Sequence, residues 1–578
     1  MDKNVYEFIS TQTGEDIVER KTCDFCGKEF AIFDKDIEFY DKMSPTINGK
    51  KYKIPTPIHC PECRFRQILA FFNEQTLYKR KCDLTWNAVV WIYSSNKPYK
   101  VYEQNAWFGD QNKTSDIYQN FEFSRTFFEQ FKELMYTVPH CNFKNQNSEN
   151  SDYCIWVSLK DCYLMFIGIT NERCYYGERI SDCLDSLDCA DSRGLQHCYG
   201  CVSCIDCYQS KFLFDSVNCK YCNFSHDLIN CEECLFCHNL ANAKYCIDNI
   251  QYTPSTYLQT KQQYEVEWKF SKMQFLQKKL DLVKKNSTKK ALNLLNAENC
   301  FGNNLKNSKD LLYVFSADGS ENCRYSRMNN FDKDCFDSDC YQSELCLNVH
   351  YGKSMFNSIF SIPLFENCRN AMYSYACINC SDIFGCVWLK NKQYCVLNKQ
   401  YTKLQYEILV SKIIEYMQDN GERWLFFPTN LSPFGYNETV ANEYFPLSKE
   451  QAVSLWYNRE DNEYPINIPE WIETIYSQDL PDDIKNADDS ILDKAIICQK
   501  SGKPFRIVKW ELEFYRKHEL PLPRLHWNER RLKRLPQRPW LDLYLRECDK
   551  CGKQVISVYP PDSEFRVYCE YCYNKKFY

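Results

Sequence analysis

"CYGCVSCIDC", residues 198–207, sets a cysteine at every third position four times in succession. Taken alone, Cys198, Cys201, Cys204 and Cys207 resemble the C-x2-C-x2-C ligand run of a bacterial iron–sulfur protein. The surrounding chain argues for another reading. The same step recurs in "NCKYC" (218–222) and "NCEECLFC" (230–237), so it belongs to a repeat and not to one ligand set. Cysteine steps fall at Cys162, Cys174, Cys183, Cys198, Cys207, Cys219, Cys231 and Cys246, and alternate steps lie 21 to 27 residues apart. That is the length of one coil of a β-solenoid. Asp, Asn and Ser punctuate the short segments as turn residues. Buried thiols are small and superpose well from coil to coil. The expected architecture is therefore a mostly β chain built on a cysteine-ladder solenoid. The four cysteines of 198–207 remain candidates for an additional metal or cluster.

The ladder is duplicated. Cys174 in "NERCYY" and Cys323 in "SENCRY" are 149 residues apart, as are Cys246 in "KYCIDNIQYT" and Cys395 in "QYCVLNKQYT". "KDCYLMF" at 160–166 matches "KDLLYVF" at 309–315. Two solenoid units are expected, at 141–295 and 296–420. The second carries "HYGKSMF" (350–356) near the place of the four cysteines and lacks them. Each unit ends in a helix that covers an open end of the repeat. In "TKLQYEILVSKIIEYM" (402–417), Thr402 and Gln405 have capping-box spacing, and Tyr406, Leu409, Val410, Ile413 and Met417 form one apolar face. The matching segment, 254–285, contains Tyr264, Trp268, Phe275, Leu276 and Val283. Residues 111–140 connect the first module to the solenoid through another amphipathic helix, carrying Phe127, Phe128, Phe131, Leu134 and Met135. Residues 421–493 read as a linker that packs back on the body.

Outside the ladder lies a second duplication. "CDFCGKEFAIFDKDIEFYDK" (23–42) aligns with "CQKSGKPFRIVKWELEFYRK" (498–517). Two modules follow, at 18–110 and 494–578, each with two metal sites in series. In the first module Cys23, Cys26, Cys60 and Cys63 form a complete set; the next site keeps Cys82, with Thr85 in the second slot. In the last module the first site is reduced to Cys498, with Ser501 beside it and Trp527 and Arg530 expected to face it. The following site is complete: Cys548, Cys551, Cys569 and Cys572. Paired CxxC motifs across a β-rich spacer suit tetrahedral thiolate coordination of structural Zn2+, so two zinc ions are expected. The incomplete sites are expected to persist as metal-free folds packed by Trp86, Trp107, Trp510 and Trp527.

The combination of "CDFCGKEF…EFY…PTPIHCPECR", the cysteine-stepped middle, "YCVLNKQYTKLQYE" and "SPFGYNET" resembles a family of long cysteine-rich, zinc-ribbon hypothetical proteins of reduced-genome candidate-phyla bacteria. The likeness covers most of the chain and implies a bacterial, zinc-bearing protein.

Composition narrows the function. Only 16 of 578 residues are Gly, and neither GxxxxGK[ST] nor GxGxxG occurs, which argues against a phosphate-cradling loop. The start has no apolar signal region, and no run of about 18 apolar residues suggests a membrane span. The 36 cysteines then read as reduced, and the expected location is cytoplasmic. The eight histidines and the carboxylates Asp182, Asp185 and Asp188 form no catalytic constellation; the aspartates read as turn residues. Residues 494–578 hold 19 Lys+Arg against 10 Asp+Glu, a net +9, which leaves −15 for the rest of a chain whose total is −6. Arg524, Arg530, Arg531, Lys533, Arg534 and Arg538 lie among Trp527 and Trp540, a pattern suited to phosphate contact and base stacking. The expectation is a non-enzymatic zinc-binding scaffold with a macromolecular partner, either a protein or RNA and the ribosome, with no membrane and no small-molecule substrate. The alternatives are an RNA- or ribosome-associated protein using the basic C-terminal module, and a metal-cluster enzyme or redox protein.

Overall fold

The computed structural model describes every residue except 111, 143–144, 152, 266–268, 363–365, 463–465, 538–540 and 578, and the side chains of 156 and 265 also lie outside the description. Trp268, Arg538 and Trp540 therefore fall outside the described residues.

From Ser158 to Asp248 every third residue has a positive φ, Gly194 and Gly200 included. Leu164, Arg173, Asp182 and Asp188 illustrate the range, at 50°, 47°, 55° and 58°. The left-handed region turns the chain sharply, so each triplet is a short extended side with a corner. Four triplets bring the chain back onto itself. Tyr163 pairs in parallel with Tyr175, Tyr175 with Leu187, and Leu187 with Tyr199, each 12 residues on. The second half repeats this: Lys309 pairs with Glu321, and Glu321 with Lys333. The repeat is thus 12 residues, not 21 to 27. The cysteine spacings of 21, 24 and 27 are two such circuits, less or plus one triplet. We call the two sets of stacked circuits the first and second stacks. With helices at both ends and between them, the chain is mixed α/β with mostly parallel sheets, and the expectation of a mostly β chain is corrected on that point.

The residue after each corner points inward, where space is scarce. A Cβ added at Gly177 would lie 2.7 Å from both Ile180 and Met165. Cys and Ser suit such positions because they are small and can bond to backbone. Ser186 donates to Leu184 O at 2.9 Å and accepts from Cys198 N at 3.2 Å; Cys204 Sγ donates to Leu213 O at 3.2 Å. Left-handed non-glycine residues each cost about 1–2 kcal/mol. Inter-circuit bonds offset that cost, as in Asp182 N to Ile169 O (3.0 Å) and the ladder Asn218–Asn230–Asn242, with 3.2 Å steps.

The end modules dock crosswise. The N-terminal module sits on the second stack and the C-terminal module on the first, through equivalent residues. Arg64 Nε donates to Asp337 at 2.8 Å and lies over Tyr325 at 5.0 Å; Arg530 donates to Asp188 and lies over Tyr176 at 4.6 Å. Asp337 and Tyr325 stand 149 residues after Asp188 and Tyr176. Tyr325 donates to Asp36 at 2.8 Å, and Tyr176 to Glu511 at 3.0 Å. The helices Phe127–Thr137 and Phe270–Asn286 also correspond: each packs on the stack its neighbouring module covers and leads into a short strand that pairs with that module. Parts of residues 421–493 pack on the first module, where Ser432 donates to Ala70 O at 2.7 Å and Val440 N to Phe72 O at 2.9 Å. Among the described residues no helix is long and apolar enough to cross a membrane.

Candidate metal centres

Each complete site is a tight turn plus a helix start. The antiparallel strands Ile17–Thr22 and Glu29–Phe33 enclose Cys23–Lys28. Cys23 N donates to Lys28 O at 2.9 Å and Gly27 N to Cys23 O at 2.8 Å. Gly27 takes φ 73°, which lets the chain double back and aim both thiols to one side. The second pair comes from a helix: Cys60 is the N-cap of Pro61–Leu69, and Cys63 lies one turn in. Cys26 Sγ is 3.7 Å from Cys60 Sγ. The C-terminal site repeats each part. Cys548 N donates to Lys553 O and Gly552 N to Cys548 O, both at 2.9 Å, Gly552 has φ 71°, and Cys569 precedes the helix Glu570–Phe577. Cys551 Sγ is 3.9 Å from Cys569 Sγ. In each set all four sulfur atoms lie within 4.8 Å of one another, so each could hold a metal ion.

One thiol in each set is pushed toward the thiolate, while burial raises Cys26, Cys569 and Cys572, and the hydrogen bond to Cys60 together with burial raises Cys63. A hydrogen bond from Cys63 brings the Cys60 thiol down to about 5. Burial raises Cys548, but amide donors, including Cys569 N at 3.2 Å, outweigh it and bring it to about 6. His59 is not part of the donor set. Its carbonyl accepts from Arg64 at 2.7 Å, its ring meets Phe25 edge-on at 5.6 Å, and burial lowers its pKa.

The two incomplete sites keep the same backbone. Cys82 N donates to Asn87 O and Trp86 N to Cys82 O; Cys498 N donates to Lys503 O and Gly502 N to Cys498 O. Helix starts again complete the arrangement. Glu103 caps Gln104–Phe108, and His526 caps Trp527–Arg534. The positions equivalent to Cys60 and Cys63 are therefore Glu103 and Ala106 in one site, and His526 and Glu529 in the other. This corrects the expectation that Trp527 and Arg530 face Cys498, which was off by one residue. Trp527 instead stacks on Phe166. Hydrogen bonds replace the metal: Cys82 Sγ accepts from Leu84 N, Thr85 N and Glu103 N at 3.3–3.4 Å, and Glu103 accepts from Thr85 Oγ1 at 2.7 Å. At the other site Lys500 pairs with Glu529 at 2.9 Å. Trp107 and Trp510 pack as expected, but Trp86 projects into solvent at 73% exposure.

Cys198, Cys201, Cys204 and Cys207 are buried, one on each side of a single circuit. All four face the interior of the circuit and neighbouring thiols interact, but among the described residues only the two module sets bring three or more such donors within 4.8 Å of one another. The additional metal set is corrected accordingly. Buried histidines serve packing pairs, as in His226 with Asp215 (2.9 Å) and His350 with Asp339 (3.1 Å).

The arginine cluster is also corrected. Arg524 donates to Leu480 O and Pro481 O at 2.9 Å, Arg531 pairs with Glu443 at 2.7 Å, and Arg534 pairs with Asp188 at 2.8 Å. Together with Arg530 these side chains are buried or nearly so: Arg530 and Arg534 hold the basic module on Asp188 of the acidic first stack, while Arg524 and Arg531 tie it mainly to the 421–493 segment. Asp188 is thus an ion-pair partner as well as a corner residue. Lys533 alone of the described basic residues in the cluster is exposed.

No family model matches the chain, and no curated protein matches it. Among solved structures, the chain is similar to a putative acetyltransferase from Desulfovibrio desulfuricans G20 at 10% identity, over 42% of this chain and 63% of that one, with a TM-score of 0.10. At that score the likeness carries no argument about fold or activity. The chain spans less than two thirds of that structure's length.

Proposed function

We propose that the protein is a non-enzymatic, zinc-stabilised scaffold: two four-sided β-solenoids held rigidly by two zinc modules, which present fixed surfaces to a macromolecular partner. The observation that carries this is the repeated pair of four-cysteine sets, each on a module locked to a stack by a buried Arg–Asp pair. A tetrahedral ion with Zn–S bonds of about 2.3 Å places sulfur atoms about 3.8 Å apart. The 3.7 and 3.9 Å separations match it, and an all-thiolate donor set suits a closed structural site. Thiols buried throughout the stacks fit a reducing, cytoplasmic setting. Limited proteolysis tests the scaffold. Removing zinc with a mercurial reagent and a chelator should expose both modules to cleavage, while fragments covering 155–250 and 294–400 persist. Uniform digestion of the whole chain would refute the separate roles of metal and stack.

A further inference from the structure

Four knuckle turns share one backbone, and three of them place Gly at the left-handed position: Gly27 (φ 73°), Gly502 (67°) and Gly552 (71°). The fourth places Trp86 there, at φ 63°, with the same hydrogen bond from its N–H to Cys82 O at 3.0 Å. A bulky residue in this region is strained, and Gly would make the turn at no steric cost. Burial does not compensate, because the ring is 73% exposed. In the complete site of the same module the knuckle's aromatic, Phe25, stands two residues before the left-handed Gly27 and is packed, on His59, Arg66 and Tyr457. An exposed aromatic held out on a strained turn points to a contact with something outside the chain.

Charge selects the kind of partner. Residues 77–103 hold five Lys+Arg and two Asp+Glu in a chain of net charge −6. Both carboxylates are engaged within the module: Asp83, itself exposed, accepts from Val101 N at 2.8 Å and pairs with Arg80 at 3.3 Å, and Glu103 accepts from Thr85 and Asn87. Lys97 leans on Glu438 and Glu460, and Arg80 lies over Trp91. Lys79, Lys81 and Lys100 are exposed, the first two on one strand of the hairpin whose tip carries Trp86. The exposed Ala88, paired with Lys81, leaves the surface open beside the ring. We infer that the metal-free knuckle of the N-terminal module is a contact site for single-stranded nucleic acid, with Trp86 stacking on a base and Lys79, Lys81 and Lys100 facing phosphates. The basic arginines at the other end of the chain hold the fold together and leave this task to the hairpin.

The inference rests on the scaffold reading only for a rigid platform. If the chain holds two zinc ions but binds no oligonucleotide, this site alone fails and a protein partner takes its place. The test is fluorescence anisotropy of an end-labelled oligo-uridine with the full zinc-loaded chain, from about 50 to 200 mM salt. Affinity should fall steeply with salt. Trp86→Ala should weaken binding about fivefold or more, and Lys79→Glu with Lys81→Glu should weaken it and flatten the salt dependence. Trp86→Gly separates function from folding: it should weaken binding as Trp86→Ala does, with a melting temperature equal to or above the parent's. No binding by the parent at the lowest salt, or parental affinity in both Trp86 variants, would overturn the site.

Discussion

At the residue scale, single buried charges decide how the ends of the chain are held. Asp188 receives both Arg530 and Arg534 across more than 340 residues of sequence. Removing one partner of a buried pair leaves the other uncompensated, at about 3–5 kcal/mol. Asp188→Ala should therefore lower the urea midpoint and make the C-terminal module an early target of protease; an unchanged midpoint would contradict the docking role. The sequence does display these arginines, but a basic run looks the same whether it is solvated or docked. Its acidic partners are too distant in sequence to be paired with it by inspection. His140 supplies a pH dependence. It is fully buried between Tyr93, Tyr99 and Trp388, shares a 2.8 Å hydrogen bond with Met135 O, and burial lowers it to about 4. A folded pKa below the unfolded value of about 6.5 gives stability that is present above pH 6.5 and lost as pH falls toward 4, by up to about 3 kcal/mol. His140→Phe should be less stable at pH 7, yet lose less on going to pH 4.5. Parallel losses in parent and variant, read from urea midpoints, would show that His140 is not the group responsible.

At the element scale, the triplet was visible in "CYGCVSCIDC", but the full circuit was not. Inward positions pass from Cys to Ser, Leu, Ile and Met, so counting cysteines alone skips circuits and returns multiples of three. The 149-residue duplication was legible because whole phrases repeat. The incomplete metal sites were legible as turns, but their helix-borne halves were misplaced by one residue: aligning His59 with His526 matches residue type, whereas the helix start aligns His526 with Cys60. The corrected register can be tested by restoring a site. The C-terminal module has Cys498 in place, with Ser501, His526 and Glu529 at the three remaining ligand positions. Ser501→Cys, His526→Cys and Glu529→Cys together should raise the zinc content by about one ion per chain. The alternative set Ser501→Cys, Trp527→Cys and Arg530→Cys should not. Equal zinc uptake by both would contradict the alignment of His526 with Cys60.

At the scale of the whole molecule, the two ends of the chain fold onto each other's halves. Module one covers stack two and module two covers stack one, with Arg64–Asp337–Tyr325–Asp36 matching Arg530–Asp188–Tyr176–Glu511. Nothing local in the sequence dictates this crossing; it follows from two interfaces whose partners are far apart along the chain. The separation of −15 from +9 was the one global signal of it, since the basic module neutralises acidic residues of the stack beneath it. The arrangement makes each four-cysteine set the anchor of a module that closes the molecule, so the metal is the central claim. Elemental analysis of the full chain, purified without added metal, tests it most directly. The predicted result is about two zinc ions per chain on tetrathiolate stoichiometry, unchanged when Cys198, Cys201, Cys204 and Cys207 are replaced by Ser. Stoichiometric iron, or a zinc content near zero in folded protein, would contradict it.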